Sequence, residues 1–398
     1  MFKNDQSAYG FRTMAIHAGK CASSDTGALA LPIYATTSFG YGDFDSGERR
    51  FAGVERGFLY SRFSNPTVQV FEQKMALLEG GETALAASSG MAAICAALFG
   101  LLSAGDELIF VGTLYGGTLG VMQTLLPRMG VNVLGVKDVG ELGNAITAKT
   151  KLVYVETPSN PTLEIIDLGA VAALAREHAV ISIADNTFAT PYLTRPIDLG
   201  IDIVVHSATK YIGGHGDATG GVVIGSKQHI ELIRTAGVKQ FGGCMSPQDA
   251  FLFVRGLKTL PLRMEAVCDS ALAIAQALHR HPLVEQVFYP GLAAHAGHDI
   301  AARQMKKFGG ILAFTLRGGK ANARRFLNQL MVITQAVSVG DVDSLACHPA
   351  STTHSAVPAE VRLQQGVTDQ LIRLSVGIED LSDLLTDIYA ALAALTLE

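Results

Sequence analysis

Lys210 closes the run Ile203-Val-Val-His-Ser207-Ala-Thr209-Lys210, and Asp185 closes the earlier apolar run Val180-Ile-Ser-Ile-Ala-Asp185. An amine flanked by hydroxyls, with a carboxylate at a second strand end, is the set that pyridoxal 5'-phosphate (PLP) chemistry requires. The amine condenses with an aldehyde, the hydroxyls help hold a phosphate, and the carboxylate keeps a ring nitrogen protonated. Taken singly, a lysine after a strand is a solvated loop charge and an aspartate there is a helix cap. Their order, the spacing of Ser207 and Thr209 to Lys210, and the glycines that follow argue for the joint reading.

Two further groups suit such a site. Ser88-Ser89-Gly90-Met91 is a small-residue turn opening into a helix, where backbone N–H groups form an anion cradle, although a plain turn has the same composition. Arg373 lies in Leu371-Ile-Arg373-Leu-Ser375-Val376. Alternation along a strand puts Ile372, Leu374 and Val376 on one face and Arg373 and Ser375 on the other. An arginine directed off a strand into a cleft binds a carboxylate through two parallel hydrogen bonds, whereas on an edge strand it would be a surface charge.

The elements that must carry these residues follow from periodicity. Asn65-Pro66 caps and starts a helix whose apolar face is Val68, Phe71, Met75 and Leu78, and Gly80-Gly81 stops it. Apolar strand-like runs at 107–111, 131–136, 152–156, 180–184, 201–206 and 221–225 then alternate with helical stretches at 91–102, 117–129 and 167–178. That alternation predicts an α/β fold, a mostly parallel sheet covered on both faces, with ligands bound beyond the carboxyl ends of its strands. Strands at 311–316, 331–337 and 371–376, with a last helix over 381–394, predict a smaller α+β unit. The expected organisation is an N-terminal arm (1–62), a PLP-binding α/β domain (63–258) and a C-terminal α+β domain (259–398). The apolar stretch 84–104 is broken by Ser88, Ser89, Gly90 and Gly100 and reads as a turn followed by a buried helix, not a membrane span.

The lysine segment, Tyr60-Ser61-Arg62 ahead of Asn65-Pro66-Thr67, and Arg373-Leu-Ser-Val-Gly-Ile-Glu379 together resemble the Cys/Met-metabolism family of PLP-dependent enzymes. The resemblance runs from Ile16-His-Ala-Gly19 to Asp380. It implies the PLP-dependent aspartate-aminotransferase-like fold (type I). It also implies phosphate contacts from Gly90, Met91, Ser207 and Thr209, and a bond from Asn160 to the phenolic oxygen of PLP. By the same resemblance Tyr115 stacks on the ring and protonates the leaving group, and Ser338 and Arg373 face the substrate. Tyr60 and Arg62 then reach the phosphate of a neighbouring subunit, so the partner is a second copy of the chain, in a homotetramer built as a dimer of dimers. Without the family, Tyr115 is a core tyrosine at a strand end and Arg62 a surface charge.

Gly242-Gly-Cys-Met-Ser-Pro247, Ala336–Asp341 and His348–His354 are most similar to the methionine γ-lyase branch, which eliminates the γ-substituent of methionine. Val337 stands where cystathionine lyases carry a glutamate. That branch usually has Cys where this chain has Gly117, and Lys-Asp where it has Lys239-Gln240. Glycine at 117 is expected to leave space beside Tyr115 and to broaden the substrate range. The second reading is γ-replacement on an O-acylhomoserine, or a cystathionine γ-lyase.

Composition sets the outer limits. The 398-residue chain is 48% hydrophobic and 17% charged with a net charge of −5, which suits a buried α/β enzyme and disfavours nucleic-acid and membrane partners. Its five cysteines are scattered without a Cys-x-x-Cys pair, as in a reducing compartment. No signal-peptide pattern opens the chain, and the expected location is cytoplasmic. No metal is expected, because His348 and His354 lack a third ligand in the sequence.

Overall fold

A computed structural model describes residues 9–19, 27–355, 357 and 359–395, and Cys21 lies outside them. Seven strands form the larger sheet: β1 (Thr83–Ala87), β2 (Glu107–Val111), β3 (Asn132–Val136), β4 (Thr150–Glu156), β5 (Ile181–Asp185), β6 (Ile203–Ser207) and β7 (Gly221–Gly225). Their order across the sheet is β1-β7-β6-β5-β4-β2-β3. β3, β2, β4, β5 and β6 pair in parallel, while β7 runs antiparallel to both β6 and β1. The carboxyl ends of β4, β5 and β6 bring Glu156, Asp185 and Ser207 to one edge of the sheet.

The helices that frame this edge are set by local chemistry. Pro66–Glu79 starts with the Asn65 side chain accepting from Thr67 N and ends at Gly80, whose φ of 82° permits the left-handed turn. Its residues Val68, Phe71, Met75 and Leu78 are buried, each contributing roughly 1.5–3 kcal/mol by leaving water. Gly90–Leu101 is capped by Ser89, which accepts from Ala92 N. A β-carbon on Gly90 would stand 2.7 Å from Ser207 Cβ, so only glycine lets this helix start against the end of β6.

The second sheet holds β8 (Val284–Phe288), β9 (Ile311–Leu316), β10 (Thr334–Gln335), β11 (Leu345–Cys347) and β12 (Leu371–Ser375), ordered β10-β11-β12-β9-β8. β12 is therefore central, and Ile372, Leu374 and Val376 enter an apolar core with Leu384 and Ile388 of the last helix, Leu381–Ala393. The helix Leu260–His279 joins the two units. Its first half (Met264, Val267) packs in the core beneath the larger sheet and its second half (Ile274, Leu278) in that of the smaller. Among the described residues no helix is long and apolar enough to cross a membrane.

Several expected elements take another form. The stretch 84–104 begins as strand β1 rather than as a turn. The expected helix over 117–129 divides into Gly116–Gly120, a wider π-type turn at Val121–Leu125 and a tight turn at Pro127–Met129. Gly116, Gly117 and Gly120 weaken helix propensity there, and Pro127 has no N–H to continue the ladder. The strand expected over 331–337 shrinks to Thr334–Gln335, because the Asp387 carboxylate takes the N–H groups of Met331, Val332 and Ile333 at 2.8, 3.0 and 2.9 Å. Within the first sixty residues, Phe11–His17 is helical and buries Met14 and Ala15, while Phe44–Phe51 leaves Phe44 and Phe51 exposed.

Candidate active site

Beyond the carboxyl ends of β4, β5 and β6 lies a cavity of about 620 Å³, walled on its far side by Val337–Val339, Thr352 and Arg373. Ten of the residues singled out in the sequence line it: Gly90, Met91, Tyr115, Asn160, Asp185, Ser207, Thr209, Lys210, Ser338 and Arg373. Tyr60 and Arg62 are not among its walls. Arg62 donates through Nη1 to the carbonyl of Lys239, and its guanidinium lies 4.8 Å from the ring centre of Phe63 and 5.9 Å from that of Tyr60.

Lys210 Nζ donates to Ser338 Oγ at 2.8 Å. Burial is the main reason its ammonium is held at about 8, with the nearby Arg373 charge adding to the shift. A lysine so adjusted is neutral about a tenth of the time at pH 7, far more often than an exposed lysine, and the neutral amine is the nucleophile. Ser338 has φ of 100°, a left-handed backbone that costs a non-glycine residue of order 1–3 kcal/mol. Its carbonyl accepts from Arg373 Nη2 at 2.9 Å. Arg373 Nη1 donates to Asn160 Oδ1 at 2.9 Å, and its Nε is buried with no partner among the described residues. An arginine 4% exposed with a free N–H is poised for an anionic ligand.

Asp185 Oδ1 accepts from Thr187 N at 3.0 Å and Thr187 Oγ1 at 2.5 Å. Burial lifts its carboxyl above the usual range, opposed by those bonds and by the His206 charge. Glu156 is its register partner on β4, and burial with the Asp185 charge beside it raises Glu156 to about 8. Two buried carboxylates at adjacent strand ends call for a cation between or above them.

At the other end of the cavity, Gly90 and Met91 open a helix whose first-turn N–H groups lack intrahelical acceptors. Ser207 stands beside them, and Thr209 Oγ1 accepts from Gly220 N at 3.0 Å. Cationic and hydroxyl groups, a helix start and a buried acid are thus distributed as a phosphorylated pyridine aldehyde needs them.

The family question is decided by the sequence profile of the Cys/Met metabolism PLP-dependent enzymes, which matches residues 12–393. The chain belongs to that family. A relative named L-methionine gamma-lyase from Pseudomonas deceptionensis is 47% identical over 391 residues, covering 97% of this chain and 98% of the relative. The crystal structure of metB from Corynebacterium glutamicum is similar with a TM-score of 0.93 and 41% identity, covering 99% of this chain and all of that one. A putative O-acetylhomoserine (thiol)-lyase from Campylobacter jejuni is 32% identical with a TM-score of 0.93, over 97% of this chain and 100% of that one. It was solved with N'-pyridoxyl-lysine-5'-monophosphate.

This PLP-dependent enzyme therefore has the type I fold, and its cavity fits the cofactor. The residue that sequence reasoning left without a role is Glu156. Its signal was available: a carboxylate ending an otherwise apolar strand, 29 residues ahead of Asp185 and, in a parallel sheet, at its level. His348 and His354, considered as metal ligands, make hydrogen bonds to Ser351, Asp369 O and Thr353 instead. No group of three ligating side chains occurs among the described residues.

Proposed function

We propose that this enzyme carries out α,γ-elimination on L-methionine or a related sulfur amino acid such as L-homocysteine. The products are a thiol, 2-oxobutanoate and ammonia. The observation that carries this reading is the meeting of Lys210, Asp185, Tyr115 and Arg373 in one cavity, in a chain 47% identical to a named methionine γ-lyase. Bound PLP supplies the electron sink for negative charge developing at the substrate's Cα and Cβ.

The protein residues divide the remaining work. Arg373 binds the α-carboxylate through Nε and Nη groups, oriented by Asn160 and the Ser338 carbonyl. Lys210, its amine oriented by Ser338 Oγ, would take a proton from the substrate's Cα and then one from Cβ, so that the Cγ–S bond can break. Tyr115 would stack on the ring and give a proton to the departing sulfur. Asp185 would pair with the ring nitrogen and keep it protonated. Gly90, Met91, Ser207 and Thr209 would hold the phosphate. Tyr60 and Arg62 serve the phosphate of a neighbouring copy in a cytoplasmic homotetramer with shared active sites. That arrangement is supported by their placement outside the cavity of their own chain.

The second reading is γ-replacement on O-acetyl- or O-succinyl-L-homoserine, or cystathionine γ-lyase activity, favoured by Gly117 and Gln240 in place of Cys and Asp. Assaying 2-oxobutanoate from L-methionine, L-homocysteine, L-cystathionine and O-acetyl-L-homoserine, with and without an added thiol, separates these. Release from methionine without thiol is the expected result, whereas thioether formation from O-acetyl-L-homoserine and the added thiol, with no release from methionine, would favour replacement.

A further inference from the structure

We propose that Glu156 is a positioning residue that fixes the leaving-group tyrosine and the substrate-site asparagine to the strand ending beside Asp185. Its carboxylate is 6% exposed at the base of the cavity. Oε2 accepts from Tyr115 N at 2.7 Å, and Oε1 accepts from Asn160 N at 3.2 Å. Tyr115 follows β2 and Asn160 follows β4, so one side chain ties two separate loops. Asn160 in turn receives Arg373 Nη1 at 2.9 Å. The position of Tyr115 thus depends on Glu156 directly, whereas Arg373 is reached only at one remove and keeps its own bond to the Ser338 carbonyl.

Placing a second carboxylate beside Asp185 in a nearly dry position is costly. Yet the two N–H donors diverge, and a carboxylate offers each its own oxygen, which an amide cannot do. Among the described residues, the charged and titratable groups around the pair include Tyr115 after β2, Tyr154 on β4, His206 on β6, Lys210 beyond it, and Arg373 on β12.

The inference rests on Tyr115 acting as acid for the leaving group, which gives it a specific test. A thiolate leaving from methionine needs that proton, whereas acetate leaving from O-acetyl-L-homoserine does not. In the PLP-loaded enzyme, Glu156→Gln should lower kcat on methionine by about tenfold or more while KM changes little. On O-acetyl-L-homoserine the loss should be less than about threefold. The visible absorption of the bound cofactor should also shift its pH midpoint, a readout independent of turnover. Glu156→Asp, which keeps two acceptor oxygens, should recover part of both effects, and serves in place of the amide variant if that one fails to fold. Equal losses on both substrates with an unshifted spectrum, or wild-type behaviour of both variants, would overturn the inference. A wild-type protein that binds no PLP would instead overturn the functional reading beneath it.

Discussion

The ring of Tyr115 occupies the space that a side chain on Gly117 would need. A β-carbon there would stand 2.6 Å from Tyr115 Cε1 and 3.0 Å from Met91 Sδ. The sequence suggested that glycine leaves room in the pocket; the structure shows that the tyrosine has already taken it. Gly117→Cys must displace the ring, which is 45% exposed, from its place against the helix start. The expected result is a shift in the ratio of kcat/KM values toward methionine and away from bulkier sulfur substrates. A change of this kind is worth about 1–3 kcal/mol, roughly 10–200-fold. An unchanged ratio in a PLP-loaded variant would mean that the ring position does not set selectivity.

Lys210 gives a pH prediction with a definite sign. Its ammonium is lowered to about 8, and only the neutral amine attacks an aldehyde. Uptake of PLP by apoprotein should therefore accelerate about tenfold per pH unit below that value and level off above it. Stopped-flow absorbance between about pH 6 and pH 10 reads this directly. A rate still climbing steeply at the upper limit would indicate an unshifted lysine.

Arg373→Lys keeps the charge but cannot reach Asn160, the Ser338 carbonyl and a substrate carboxylate together. Loss of such buried charged bonds costs about 2–5 kcal/mol. The change should fall on kcat/KM for every amino-acid substrate alike, with PLP content preserved. Absorbance of bound cofactor and steady-state kinetics measured on the same preparation test both halves.

Tyr60 and Arg62 are expected to complete a neighbour's site. Mixing inactive Lys210→Ala subunits with Tyr60→Phe subunits of low activity should restore turnover, because some hybrid sites contain both native residues. Verified hybrid oligomers with no recovered activity would place these residues' role within their own chain.

The sequence carried the site better than the small sheet. Strands β2 and β7 and the capped helix after Asn65 were legible because continuous apolar runs end at polar or glycine boundaries. Arg373 was legible through alternation, although its position on a central rather than an edge strand required the partners β9 and β11. β11 has three residues and β10 two, too few for a period to register. The break of the expected 331–337 strand depends on Asp387, more than fifty residues away, and such tertiary competition leaves no local trace. The tie from Glu156 to Tyr115 likewise joins residues 41 apart.

The most direct measurement is the stoichiometry of products from L-methionine alone, with no thiol acceptor present. The account predicts methanethiol, 2-oxobutanoate and ammonia in equal amounts from the wild-type enzyme, and none from Lys210→Ala. Intact methionine after prolonged incubation with PLP-loaded enzyme, alongside rapid thioether formation from O-acetyl-L-homoserine and a thiol, would contradict it.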